Sequence, residues 1–570
     1  METPAATPSI VSYDSKQSAL KSKTPQGLVF QFWSDYHSKT PGRVTSVLPP
    51  TNYRLIPDSE RPHSTVRALT YKEAVQQCRD DVRAIVKDCK RTNNKFTDPE
   101  FDIEKDFLNF DYNCLFGLSR ARDGDADDES TKPGSVHRIP WIFNEPEFVT
   151  NGFDADIKQG TSSNCWWLAA LVSVASRKDL IEKLCIARSE DCGVYGFVFY
   201  GNGGWIPTVV DDNLYLTNED FDYDLYDGSG NRAQLYKEQK QTGSEALFFS
   251  KCRSANETWL PLLEKAFAKV HGDYQALDYG WAGTAVEDLT GGVTTVIQSD
   301  RVLSKERLWS DLMDLKEGNL LFNLSTGSYG GKYRNGLILR HDYSIVDTAR
   351  IEDNNGNAIS LDVLHNFRWI YKTRVFDDYW KITQHWISAS IPWLGGHLKT
   401  RFLVRVLHRG IVVIILSQGQ YDFTLHFTLR SLENNVTICK VQPVHQLDRR
   451  SVNCEVNLEP GIYEVIPNII AERDDASAAV DEMIRLAMRT NPSKLREVGK
   501  RYDSVHVKLG VAEIQEAYNG AGSFMDHLPT TPFDIGVHLT GDSSISTPFT
   551  ECTVESDSDA GSSSSGEWNA

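Results

Sequence analysis

The sequence predicts an α+β chain, in which a region of mixed helices and strands is followed by an all-β region. Three observations carry that prediction. An apolar, alanine-rich run continues unbroken from Cys165 to Val174, and Trp259, Leu262, Leu263, Ala266, Phe267 and Val270 recur at 3.6-residue spacing, which places two helices in the first region. Val194 to Tyr200 alternates as a strand, Gly201 to Gly204 turns, and Trp205 to Val210 returns, which reads as a β-hairpin. From Tyr379 onward, short β-branched or aromatic runs follow one another between Gly, Asn, Asp and Pro turns, the pattern of an antiparallel sandwich of seven or eight strands.

The 570 residues are enough for two or three domains with sizeable cores. Net charge is −18, which argues against nucleic acid or an anionic membrane as main partner. Part of the acidity lies at the end, where residues 541–570 carry six acidic side chains and neither Lys nor Arg. No run has the length of a signal peptide or a membrane span. Ten cysteines without a CxxC pair fit a reduced, cytoplasmic protein.

In chain order, residues 1–65 are rich in Pro, Ser, Thr and Lys and are expected to be disordered. Residues 66–135 form an N-terminal extension, in which Val75, Cys78, Val82, Ile85 and Cys89 mark one amphipathic helix to about Lys90. Residues 136–376 form the first compact domain. After the Cys165 helix, the hairpin and the Trp259 helix, Leu308 to Leu315 reads as helix and Asn319 to Leu324 as strand. A loop rich in Gly and Tyr, from Gly327 to Gly336, then leads into the strand around His341. Residues 377–512 are the sandwich. Its strands are expected at Trp380–Trp386, Arg401–His408, Ile411–Ser417, Phe423–Leu429, Val436–Val441, Ser451–Leu458 and Ile462–Ile466, with a helix inserted at Asp475–Thr490. Residues 513–570 read as a disordered, Ser-rich acidic tail.

The stretch with chemistry in it is Gln159-Gly160-Thr161-Ser162-Ser163-Asn164-Cys165-Trp166. Asn164 is a favourable N-cap, which puts Cys165 in the first turn of a helix. There the positive end of the helix favours thiolate over thiol. Gln159 can fold back with a side-chain amide donor, so the stretch reads as half of a thiol acyl-transfer site. A core helix with cysteine as a small hydrophobe is the alternative. His341 stands where a strand leaves a glycine-rich loop, a place where a lone histidine is more often structural than a catalytic base.

Taken together, these segments resemble the calpain family of intracellular cysteine proteases. Gln159 to Leu168 is similar to the family's nucleophile loop Gln-Gly-x-x-Gly-Asp-Cys-Trp-x-Leu. Trp259 to Gly272 looks like its long helix, Glu287 to Gly292 like its ED-x-TGG turn, and Gly336 to Val346 like its histidine strand. The helix from Val75 to Cys89 resembles that of fungal-type members, and the likeness extends over about residues 70–512. The resemblance implies a papain-like calpain protease core followed by a C2-like sandwich, without a penta-EF-hand domain. It implies Cys165 as nucleophile, His341 as general base and then acid, and Gln159 with the Cys165 backbone N–H as oxyanion donors. It also implies protein substrates, calcium as cofactor with Asp156 and Glu264 as carboxylate ligands, and contact with a membrane surface or a protein through the sandwich. For Asp156 and Glu264 the alternative is surface charge.

Departures from the family pattern accompany the likeness. Ser163-Asn164 replaces Gly-Asp, and Asp342 replaces the small residue after the histidine. The Arg-Asn-Pro-Trp-Gly motif that supplies the third catalytic member is missing. Asn355 and Asn357 lie in a turn-like run whose local chemistry accounts for them. Without a residue to orient the imidazole, catalysis weakens although nucleophile and base remain. The expected function is a calpain-like endopeptidase of weak or no activity, the alternative a catalytically impaired binding protein.

Overall fold

A computed structural model describes residues 69–116 and 132–470 with gaps, the longest of them 349–365, and scattered positions between 484 and 516. The expectations for residues 1–65, for most of the inserted helix and for the tail fall outside the described residues.

The first helix, α1 (Tyr71–Thr92), begins at a capping box in which the Thr70 hydroxyl accepts the Glu73 N–H and the Glu73 carboxylate accepts the Thr70 N–H. It ends at Asn93 in a left-handed conformation. Its buried stripe is Ala74, Cys78, Val82 and Cys89, which shares Cys78, Val82 and Cys89 with the sequence reading, while Val75 and Ile85 are half-buried. That stripe packs on the hairpin strands β2 (Val194–Gly201) and β3 (Gly204–Asp211), which with β1 (Cys185–Ser189) make a three-stranded antiparallel sheet.

Helix α2 (Cys165–Ala175) is buried on nearly every side, because almost every residue in it is apolar. Around it stand α3 (Trp259–His271) and α4 (Ala282–Thr290), and their side chains share one hydrophobic cluster with the hairpin. Midway along its length α3 carries a charge into the interior. Lys265 is fully buried, and its ammonium donates to Asp211 Oδ1 at 2.6 Å and to the Asn213 carbonyl at 2.8 Å. A buried ammonium is tolerated only with such partners.

The opposite side is a four-stranded antiparallel sheet. Its strands are β4 (Val293–Gln298), β5 (Leu320–Thr326), β6 (Asp342–Ile345) and β7 (Phe367–Arg374), in the order β6-β5-β7-β4. A second cluster, with Leu308 and Leu312 of α5 (Lys305–Met313), Phe322, Leu324 and Ile370, covers its other face. Glu287 to Thr290, read from the sequence as a turn, is the last turn of α4; Gly291 with φ 68° ends the helix and the chain then enters β4.

From residue 396 to residue 470 the described chain has strands and no helix, whereas the described positions Ile484, Arg485, Met488 and Arg489, within the expected inserted helix, are helical. The strands are β8 (Gly396–Leu398), β9 (Phe402–Val406), β10 (Gly410–Ser417), β11 (Thr424–Ser431), β12 (Thr437–Val441), β13 (Ser451–Leu458), β14 (Gly461–Ile470) and β15 (Ile514–Glu516). One sheet runs β12-β11-β14-β8-β15, with β9 also on β14; β10 and β13 pair separately. Strand β11 alternates strictly, and its Leu425, Phe427 and Leu429 share a core with Val412 and Ile414 of β10 and Val452 of β13. The strand expected at Trp380–Trp386 is absent over its described part, residues 380–384.

This β region meets the four-stranded sheet through polar contacts. Arg374 donates twice to Glu455 at 2.8 Å, Asn453 bonds both the Thr294 carbonyl and the Thr295 hydroxyl, and Arg450 reaches Asp288 at 2.6 Å.

Candidate active site

Cys165 opens α2, as the sequence predicts, but the cap is different. Asn164 occupies the N-cap position and its side chain makes no capping bond. It is turned inward and fully buried, where Nδ2 donates to Glu264 Oε1 at 2.5 Å and to Ser250 Oγ at 3.2 Å. A carboxylate inside the protein attracts the amide more strongly than a helix end that is already bonded. The Asn164 carbonyl takes the Trp167 and Leu168 amides at 3.0 and 3.1 Å.

The loop before Cys165 is gripped from three sides. Thr161 N–H donates to the Phe248 carbonyl at 3.1 Å, and Gly160 lies so close to Phe249 that a Cβ there would come within 2.3 Å of its backbone. Only glycine fits. Ser163 N–H donates to Asp278 at 2.8 Å, and Tyr279 N–H returns to the Ser163 carbonyl at 3.2 Å. Trp166 fastens the helix start through its indole N–H, which donates to the Leu277 carbonyl at 2.8 Å. From behind, Glu264 accepts Ser250 Oγ and Ser250 N–H, both at 2.8 Å, besides Asn164.

The histidine strand is bound to the same helix. The Ala169 carbonyl in α2 accepts both Asn323 Nδ2 of β5 at 3.0 Å and Ser344 Oγ of β6 at 2.5 Å. Thr326 brackets His341, its N–H donating to the His341 carbonyl and its hydroxyl accepting the His341 N–H. Arg340, just before, is in the left-handed region at φ 57°. The fold thus brings Cys165 and Asp342, the residue after His341, to one seam although they are far apart in the chain. The imidazole stands edge-on to Tyr343 at 5.2 Å, and its nitrogens have no hydrogen-bond partner among the described residues. Burial holds its pKa below the ordinary histidine value.

The electrostatics of the thiol depart from the sequence expectation. Burial pushes the Cys165 pKa up, and the Asp342 carboxylate adds to the rise. Backbone N–H groups of Asp342, Trp166 and Cys165 itself pull the other way without prevailing. The helix end does favour thiolate, as expected, but desolvation and a neighbouring anion outweigh it.

Gln159 is exposed, and its amide donates to the Ser162 carbonyl at 2.9 Å within its own loop. Asp156 falls outside the described residues, as do Asn355 and Asn357. Glu264 is no surface charge: it is fully buried, with its carboxyl pushed up to about 7 by burial. Its two oxygens already accept three hydrogen bonds. Among the described residues no group of three or more His, Cys, Asp or Glu side chains is arranged to hold a metal. Calcium takes hard oxygen ligands, and the two Glu264 oxygens are already committed to Asn164 and Ser250.

Sequence reading missed Ser250, Asp278 and the inward role of Asn164. Asn164 and Glu264 stand 100 residues apart, and no local pattern announces their bond.

Residues 96–367 match the model of the calpain family cysteine proteases. Calpain clp-1 of Caenorhabditis elegans is 27% identical over 320 residues, which cover 54% of this chain and 35% of the worm protein. Calpain-14 of Homo sapiens is 26% identical over 376 residues, or 65% of this chain and 46% of the human one. The calpain-type cysteine protease DEK1 of Zea mays is 28% identical over 330 residues, or 55% of this chain and 13% of the maize protein. The chain spans less than half the length of each of these relatives.

Proposed function

Residues 96–367 belong to the calpain family of cysteine proteases, and on that premise we propose that the chain is a calpain-like cysteine endopeptidase acting on protein substrates at limited sites. Cys165 is the nucleophile and His341 the base. The observation that carries this reading is the double hold on the Ala169 carbonyl by Asn323 and Ser344, which seats the start of α2 against the histidine strand.

In the proposed reaction the imidazole takes the thiol proton and the sulfur attacks the scissile carbonyl carbon. The negative charge on the tetrahedral oxygen meets the Cys165 N–H and the Gln159 amide, which must first leave the Ser162 carbonyl. The C–N bond breaks as the imidazolium returns its proton to the leaving amine. Water then hydrolyses the thioester by the same path in reverse roles. Calcium dependence is left out of this proposal because the donor set around Glu264 does not suit the ion. No helix among the described residues is long and apolar enough to cross a membrane. The two sheets after residue 396, with their shared core, support assignment as a C2-like module.

The test is casein cleavage by the purified chain together with labelling of Cys165 by a thiol-protease probe. Cleavage that disappears in Cys165→Ala supports the reading; cleavage that survives the substitution refutes it.

A second reading, a protease-derived binding protein, is favoured by the site's unready state. The thiol is held protonated, the imidazole lacks an orienting partner among the described residues, and the Gln159 amide is occupied. A Cys165→Ala allele that behaves as wild type in cells, where a null does not, would select it.

A further inference from the structure

Asp342 is the residue in this seam that the proposed chemistry does not use. It opens β6 opposite Ser325 of β5, is 9% exposed, and its Oδ1 meets no hydrogen-bond donor among the described residues. A carboxylate in that condition is costly, and a mere packing role would be served better by an apolar residue. The hold on Ala169 by Ser344, two residues further along β6, fixes the strand against α2. The Asp342 backbone N–H thereby faces the Cys165 sulfur, and its carboxylate lies close enough to act on that sulfur through space.

We propose that Asp342 is a positioning residue of the nucleophile, an electrostatic brake whose buried carboxylate opposes formation of the Cys165 thiolate. The inference rests on the reading of Cys165 as nucleophile. Two opposed effects come from the one residue: the N–H favours the thiolate, and the carboxylate disfavours it more strongly at the pH where it is ionised. The carboxyl is itself pushed up to about 6 by burial, so it is charged at neutral pH and above.

Other charged groups near the seam are spoken for. Asp278, ahead of α4, accepts the Ser163 N–H; Glu264 on α3 is engaged with Asn164 and Ser250; and Glu287 and Asp288, at the far end of α4, take the Thr294 N–H and Arg450. His341 stands immediately before Asp342, its imidazole kept mostly neutral at pH 7 by burial, so it does not cancel the charge. From β5 the facing residue is Ser325, a neutral donor.

The experiment is the pH dependence of Cys165 alkylation by iodoacetamide in the full chain, followed by peptide mass. The thiolate supplies the electron pair of the new S–C bond, and iodide leaves. In Asp342→Asn the profile should move to lower pH. Each unit of fall gives about tenfold more thiolate and about threefold less nucleophilicity, hence about a threefold faster reaction at pH 7. An unchanged or slower reaction in a folded Asp342→Asn or Asp342→Ala protein overturns the proposal. Should neither variant fold, the slope of log rate against pH decides: a slope below one around pH 6, where the Asp342 carboxyl ionises, that persists in His341→Ala supports the brake, and a slope of one throughout refutes it. Alkylation needs no turnover, so its result is separate from casein cleavage by Cys165→Ala, which tests the nucleophile assignment alone.

Discussion

Glu264 holds Asn164 at 2.5 Å in the interior, directly behind the loop that ends in Cys165. The bond ties the residue before Cys165 to the long helix α3 and gives a fully buried carboxyl a place in the structure.

That carboxyl makes stability depend on pH. Its folded value of about 7 lies above the 4.5 of the unfolded chain. Below pH 4.5 both states are protonated and the group is neutral to folding. As pH rises from 4.5 to 7 the unfolded state releases its proton first, so stability falls, by about 3 kcal/mol in all. Urea denaturation at pH 5 and pH 8 should show this loss. Glu264→Gln should abolish that part of the pH dependence while costing about 1–3 kcal/mol at pH 5, because its amide NH₂ would meet the Ser250 N–H donor.

Gln159 offers a kinetic prediction. Its amide is bonded to the Ser162 carbonyl, and in the proposed mechanism it must exchange that bond for the oxyanion. Gln159→Ala should therefore lower kcat by about 10²-fold with KM little changed, as loss of one oxyanion donor does. An effect confined to KM would show that the side chain binds substrate without stabilising charge.

The contrast between these residues explains what was legible in the sequence. The hairpin, α1, α3 and the strand periodicity of β11 follow from local patterns, and the structure has them within a few residues of the expected positions. Cys165 at a helix start was equally local. What escaped reading depends on contacts across the fold. Asn164 has every local reason to cap α2 and instead turns to a carboxylate 100 residues away. The ionisation of Cys165 is decided by burial and by Asp342, not by the helix it opens. Trp380 to Gln384 has strand-like composition but pairs with no strand.

The junction between the four-stranded sheet and the β region should be a separate point of weakness. Burial alone would raise the Asp288 carboxyl, yet Arg450 at 2.6 Å and His271 at 3.4 Å hold it below the usual range. Its contribution is present above the unfolded value of 3.8 and is lost as pH falls through the lower folded value. Arg450→Ala leaves a buried carboxylate with only the histidine nearby and should cost about 3 kcal/mol at pH 7. Calorimetry should then resolve two transitions where the wild type has closer coupling, and the difference from wild type should shrink at low pH.

Tyr279 yields the opposite sign. It is 84% exposed and sits at φ 62°, a conformation that a bulky side chain adopts at a cost of about 1–2 kcal/mol. The structure keeps it there because its N–H must reach the Ser163 carbonyl while Gly280, the next residue, lies against the Trp166 indole. Glycine at 279 would keep the N–H and release the strain, at the cost of about 0.5–1 kcal/mol of extra chain entropy in the unfolded state. Tyr279→Gly should therefore raise stability by about 0.5–1 kcal/mol in urea denaturation at pH 7. A loss of stability instead would mean that the exposed ring contributes packing to the loop before Cys165 beyond its backbone bond.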